Sequence, residues 1–256
     1  MQSLVPKVLP VETIRLSDNE CTIANQQWGR HVLHRSELRP SLTAPKPDQV
    51  FGFRARCFPF HRALALLRQT ACPAPQSSSQ LLAPYFVVEA KGEQGSRLVA
   101  KRQSLWAAVT MITILARIAT AAGTIDTDFF DRIHVMSAEL TTETIQLSCY
   151  WATRKEEVIS YWGKTIRCWS PNDPTGESFG NAHHGIHNAV EWTRQHVQHR
   201  LNNDLKHLEQ SLPREIQSQM TPPNSDDRSR SRKRKPTLDV ERTGRSASSL
   251  RTSFSA

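Results

Sequence analysis

Apolar residues recur along this chain at two spacings, and the switches between them predict strands and helices. Tyr85-Phe86-Val87-Val88 is a β-branched and aromatic run between Pro84 and Gly92, the composition of a buried strand. Glu89 and Lys91 end it. Side chains alternate faces along a strand, so these two share one side while Phe86, Val88 and Ala90 share the other. Earlier, Pro47–Phe53 alternates after its prolines and reads as a second strand with Asp48 at its beginning. A helical turn over Phe60–Gln69, carrying Leu64, Leu66 and Leu67, and a Pro/Ser-rich loop over Cys72–Gln80 join the two.

Downstream, the spacing predicts a long helix over Leu98–Ala122, with Leu98, Leu105, Trp106, Val109, Ile112, Leu115 and Ile118 as its stripe and Gly123 as its stop. Ile133–Ala138 and Glu143–Trp151 read as strands around a turn at Glu139–Thr142, the second alternating Ile145, Leu147, Cys149 and Trp151. Glu157–Trp169 is aromatic-rich core of ambiguous type, and Ser170–Gly180 is a loop. Asn181–Leu212 predicts a polar helix that closes the domain through Ile186, Val190, Val197, Leu201, Leu205 and Leu208. At the start of the chain the pattern is weak: Val11–Leu16 fits a short strand or entry segment, and Asn25–Leu38 has helical composition. Strands alternating with helices imply an α/β sheet with a helix packed across it.

Composition changes the picture at one end. The 256 residues carry a net charge of +9 and are 38% hydrophobic, lean for a chain folded throughout. From Arg228 onward there are nine Lys or Arg against two acids, a net of +7, so the first 227 residues carry only about +2. Residues 1–215 are therefore expected to form the domain. Residues 216–256, rich in Pro and Ser, cannot bury enough surface to offset their conformational entropy and are expected to be a disordered basic tail. Five scattered cysteines, an odd number without C-x-x-C spacing, argue for a reducing compartment. No signal peptide is visible. The longest apolar run, Leu105–Ala116, falls short of a span, and a soluble intracellular protein is expected.

Pro47-Asp48, then Glu89-Ala90-Lys91, then a helix bearing Gln103 and a further strand, resembles the PD-(D/E)XK nuclease superfamily, and within it an uncharacterised fungal branch. The resemblance covers roughly residues 11–212. It implies a restriction-endonuclease-like fold, a central mixed β-sheet flanked by helices. It further implies a metal-dependent phosphodiester hydrolase acting on DNA or RNA with Mg²⁺ or Mn²⁺. By the resemblance, Asp48, Glu89 and the carbonyl of Ala90 are the metal ligands, Lys91 positions water or stabilises the charged transition state, and Gln103 assists. Relatives often add a Glu on a first helix; Glu20 and Glu37 are both open for that role. An acid and a base at the lip of an apolar strand also suit an ion pair, and a module that binds nucleic acid or protein without catalysis is the alternative.

Other motifs are weighed against this reading. His183, His184 and His187 with Cys168 do not match a zinc spacing and read as a solvated helix. Trp151, Trp162 and Trp169 offer base stacking, but aromatics at strand spacing read as core. Arg232-Lys233-Arg234-Lys235 suits an import receptor, and so a nuclear rather than cytoplasmic location, with auxiliary contacts to phosphates.

Overall fold

Six strands line up in chain order into one mixed sheet in the computed structural model, which describes residues 20–24, 46–70, 81–92, 96–125, 129–156 and 158–213. Strand β1 (Glu20–Ala24) pairs antiparallel with β2 (Gln49–Arg54), and β2 antiparallel with β3 (Leu81–Ala90). Helix α1 (His61–Thr70) lies between those last two. The chain then crosses over through helix α2 (Arg97–Ala122), so that β4 (Ile133–Leu140) lies parallel to β3. That parallel step needs such a crossover. Strands β5 (Ile145–Lys155) and β6 (Val158–Trp169) complete the sheet as a hairpin, and helix α3 (Glu177–Ser211) follows.

Local chemistry sets the helix ends. Ser96 caps α2, its hydroxyl accepting from the Val99 amide at 3.2 Å, and Gly123 stops it in the left-handed conformation at φ 70°. Asp173 accepts from the amides of Thr175 and Ser178 ahead of α3. The first turn of α1 contains no acid of its own, and Glu209 of α3 supplies one: its carboxylate accepts from the Ala63 amide at 2.8 Å and from Arg62 Nε at 2.9 Å. Arg62 also donates to the Glu209 carbonyl.

The core lies on both faces of the sheet. Phe51, Phe53, Tyr85 and Phe86 are fully buried, with Phe51 and Phe86 in edge-on contact, and burial of each such ring contributes about 1.5–3 kcal/mol. Helix α2 packs on β3, β4 and β5, and α3 packs on β3 through β6 and against both other helices. All six apolar positions expected to close the domain through α3 are buried.

Several expectations need correction. Pro84 does not bound its strand; β3 runs through it to Leu81. The pairing with β2 shifts between Phe51 and Gly52, and at such an irregularity the missing proline N–H is tolerated. Leu98 and Leu105 are exposed, and the first half of α2 is buried instead through Ala100, Ser104, Ala107 and Ala108, small residues that let the helix approach the sheet closely. Glu139 is not in a turn but inside β4, and the turn is Thr141–Thr144, closed by the Thr141 hydroxyl. Residues 158–169 are a strand, and Trp162 on it is exposed rather than core. Helix α3 begins at Glu177, four residues before the expected start. By length and composition α2 is also long and apolar enough to cross a membrane, since Arg117 does not interrupt it; half of its most apolar stretch is buried in the fold.

The chain divides into two units, Met1–Ile216 and Gln217–Ala256. The expected disordered tail with Arg232, Lys233, Arg234 and Lys235, the N-terminal strand or entry segment, the helix over Asn25–Leu38 and the loop over Cys72–Gln80 all lie outside the described residues.

Candidate active site

Three chain segments meet at the C-terminal end of β3. Asp48 immediately precedes β2, whose antiparallel register brings Gln49 opposite Val88, so the Asp48 carboxylate reaches the end of β3. There its Oδ2 accepts from the Ala90 amide at 2.7 Å. The Lys91 ammonium stands between the acids, 3.6 Å from Asp48 Oδ2 and 3.4 Å from Glu89 Oε2. It also donates to the Ala90 carbonyl at 3.2 Å. Two carboxylates, a backbone carbonyl and an ammonium thus converge, although the acids are forty-one residues apart in the chain.

Exposure is graded across the group. The Glu89 side chain is buried, Lys91 is largely so, and Asp48 opens to solvent. Burial pushes the Glu89 carboxyl up to about 8; the Asp48 charge adds to the rise, while Lys91 opposes it without cancelling it. Without further positive charge the site therefore keeps a proton on Glu89 near neutral pH. The donors are all oxygens, the set a hard divalent cation takes, and two carboxylates suffice for Mg²⁺, which retains several waters. Among the described residues no group of three or more His, Cys, Asp or Glu converges as a metal cage.

Gln103 is exposed on α2, and no hydrogen bond ties it to Asp48, Glu89 or Lys91 among the described residues. Of the two glutamates left open for a first-helix role, Glu20 begins strand β1, paired with Phe53, and Glu37 lies outside the described residues.

A family model described as Domain of unknown function (DUF7924) matches residues 2–205. The chain belongs to that family. The DUF7924 match spans Asp48 and Glu89–Lys91 and ends within α3. No curated protein and no solved structure matches the chain.

Within the DUF7924 region lies a polar row that the strand pattern does not reveal. Glu89 stands beside Glu139 on parallel β4, Glu139 beside Gln146 on β5, and Gln146 beside Cys168 on β6, all on one face. Glu139 is wholly buried, and its carboxylate is held by four neutral groups. Ser137 and Tyr150 (3.1 Å) reach one oxygen; Gln146 (3.0 Å) and Ser148 (2.9 Å) reach the other. Burial, with Glu139 adding, pushes the Tyr150 hydroxyl well above its usual range, so it stays a donor. The signal present in the sequence was the alternation of Gln146 and Ser148 with apolar residues, which ordinarily marks a solvated face. Here α2 covers it: Thr113 of the helix and Tyr161, on the same face of β6, are 3.1 Å apart.

Proposed function

We propose that this protein is a metal-dependent phosphodiester hydrolase acting on nucleic acid, on a restriction-endonuclease-like variant of its α/β fold. The observation that carries the reading is the meeting of Asp48, Glu89 and Lys91 at one strand end. The order of elements supports it: an acid at the head of β2, a Glu-Ala-Lys end to β3, a long helix, and a parallel strand.

Asp48, Glu89 and the Ala90 carbonyl would hold Mg²⁺ or Mn²⁺. Such an ion offsets the negative charge that builds on the phosphoryl group and acidifies water. The raised proton affinity of Glu89 fits this use, because a buried acid beside a second acid gains most from added positive charge. Lys91 lies within reach of both acids and would orient the attacking water or stabilise the charge of the transition state.

Purified protein incubated with plasmid and single-stranded substrates tests the reading. Cleavage is expected with Mg²⁺ or Mn²⁺, abolished by EDTA, and reduced on the order of a hundredfold or more in Lys91→Ala and Asp48→Asn. Cleavage that persists in Lys91→Ala removes the proposal. The exposed position of Gln103 favours a second reading, a module that keeps the fold and binds without hydrolysis. Metal-independent binding with no cleavage under any of these conditions would select it.

A further inference from the structure

The two strands of the β5–β6 hairpin bear charge of one sign. These strands, Ile145–Lys155 and Val158–Trp169, contain four cations and no acid, and Glu156 and Glu157 fall between them in sequence. Register sorts these residues onto faces. Trp162 pairs with Trp151, Lys164 with Cys149 and, past a shift in register, Arg167 with Leu147, so the three share one face of β6. Lys155, opposite Val158, continues that face along the neighbouring strand. Lys164, Arg167 and Lys155 are exposed there, and Trp162 is 53% exposed.

Trp162 is also fixed in place. Its indole Nε1 donates to Thr153 Oγ1 across the hairpin at 3.0 Å, leaving a large ring held at the surface between cations. An edge strand lined this way is poorly suited to pairing with a second copy, which would bring like charges together. A polyanion with flat, stackable groups satisfies both features: phosphates for the cations and a π-face for the indole. The stripe is long enough for several nucleotides, since the strand advances roughly 3.3 Å per residue. Its far end, at Trp169, lies level with Ile145, Leu140 and Ala90, at the sheet end that carries the Asp48–Glu89–Lys91 group but on the face opposite the row of Glu89, Glu139, Gln146 and Cys168.

The geometry points to this face of β6 as a binding surface for single-stranded nucleic acid, with a base stacked on Trp162 and the backbone tracked by Lys164 and Arg167. The inference goes beyond the hydrolase reading and does not require catalysis.

The test is titration of the full chain, in EDTA so that cleavage plays no part, with oligothymidylate while tryptophan emission is followed. Unaltered protein is expected to bind with quenching. Trp162→Ala should lose the quenching and weaken binding roughly tenfold, whereas Trp192→Ala, removing another exposed tryptophan, should do neither. Lys164→Ala with Arg167→Ala should lower the slope of log affinity against log salt by about 1.4. Heparin, a polyanion without bases, should bind without the Trp162-dependent quenching. Unchanged affinity and salt slope in these variants, equal quenching by heparin, or a change in oligomeric state in place of a change in affinity would overturn the assignment. Metal-dependent cleavage together with binding unchanged in the β6 variants would leave the hydrolase standing and this surface refuted; binding lost in those variants, with no cleavage by the unaltered protein, would do the reverse.

Discussion

Glu89 and His134 are buried titratable groups whose proton affinities move in opposite directions, and the two predict opposite responses to pH. Burial raises the Glu89 carboxyl to about 8 from an ordinary 4.5. The folded state therefore binds more protons than the unfolded one between those values, so this group's stabilising contribution is full below about 4.5 and lost as pH rises through 8. A cation that binds the ionised form reverses the penalty. Melting in EDTA and then in excess Mg²⁺ should show stabilisation by the metal that is larger at pH 8 than at pH 5 and absent in Glu89→Gln. Burial lowers His134 to about 4; positive charge from Arg200, His196 and Arg132 adds to this, and the Phe129 carbonyl opposes it. Here the contribution is present above 6.5 and lost as pH falls toward 4. His134→Asn should flatten the fall in melting temperature over that window, at the cost of the stacking on Phe129.

At the scale of elements, β2 and β3 leave no room for a side chain at Gly52. A Cβ there would meet the Leu81 side chain, and the Ala83 carbonyl oxygen and Pro84 Cα lie at 2.8 and 2.9 Å from its position. Two of those neighbours are backbone and cannot move aside. Gly52→Ala should cost about 2 kcal/mol in a denaturant melt, and Gly92→Ala, with nothing within 4 Å among the described residues, should stay within about 0.5 kcal/mol. The elements that carry the site were legible for a physical reason: β3 is a nearly unbroken apolar run, and the Pro47-Asp48 and Glu89-Ala90-Lys91 ends interrupt apolar strands with charge. Glu139 was not, because a lone acid followed by Leu140 and two threonines has the composition of a turn, and only four donors from neighbouring positions make its burial tolerable. The early part of α2 misled in the other direction. Its leucines face solvent, while alanines and Ser104 face inward, so close approach replaced bulk as the packing device. Strand β6 is a sheet edge and lacks the alternation of a half-buried strand, which left its type ambiguous.

For the whole molecule, the basic cluster Arg232–Lys235 sits in the second unit, apart in sequence from the site residues. Replacing all four with Ala should shift a fluorescent fusion from nucleus to cytoplasm and leave the melting temperature of the first unit unchanged. The first unit is itself tied together late in the sequence. The family match ends at residue 205, yet Glu209 serves the start of α1, and the carbonyl of Leu212 accepts from Arg62 at 3.3 Å. Glu209→Ala should cost about 1–2 kcal/mol, and a version ending at 205 should lose at least as much. This tie joins residues up to 150 positions apart, and it has a temporal side. During synthesis, α1 leaves the ribosome well over a hundred residues before the carboxylate that completes its first turn. Nascent chains stalled ahead of Glu209 should therefore be open to protease at α1, and resistance should arrive only with the final turn of α3.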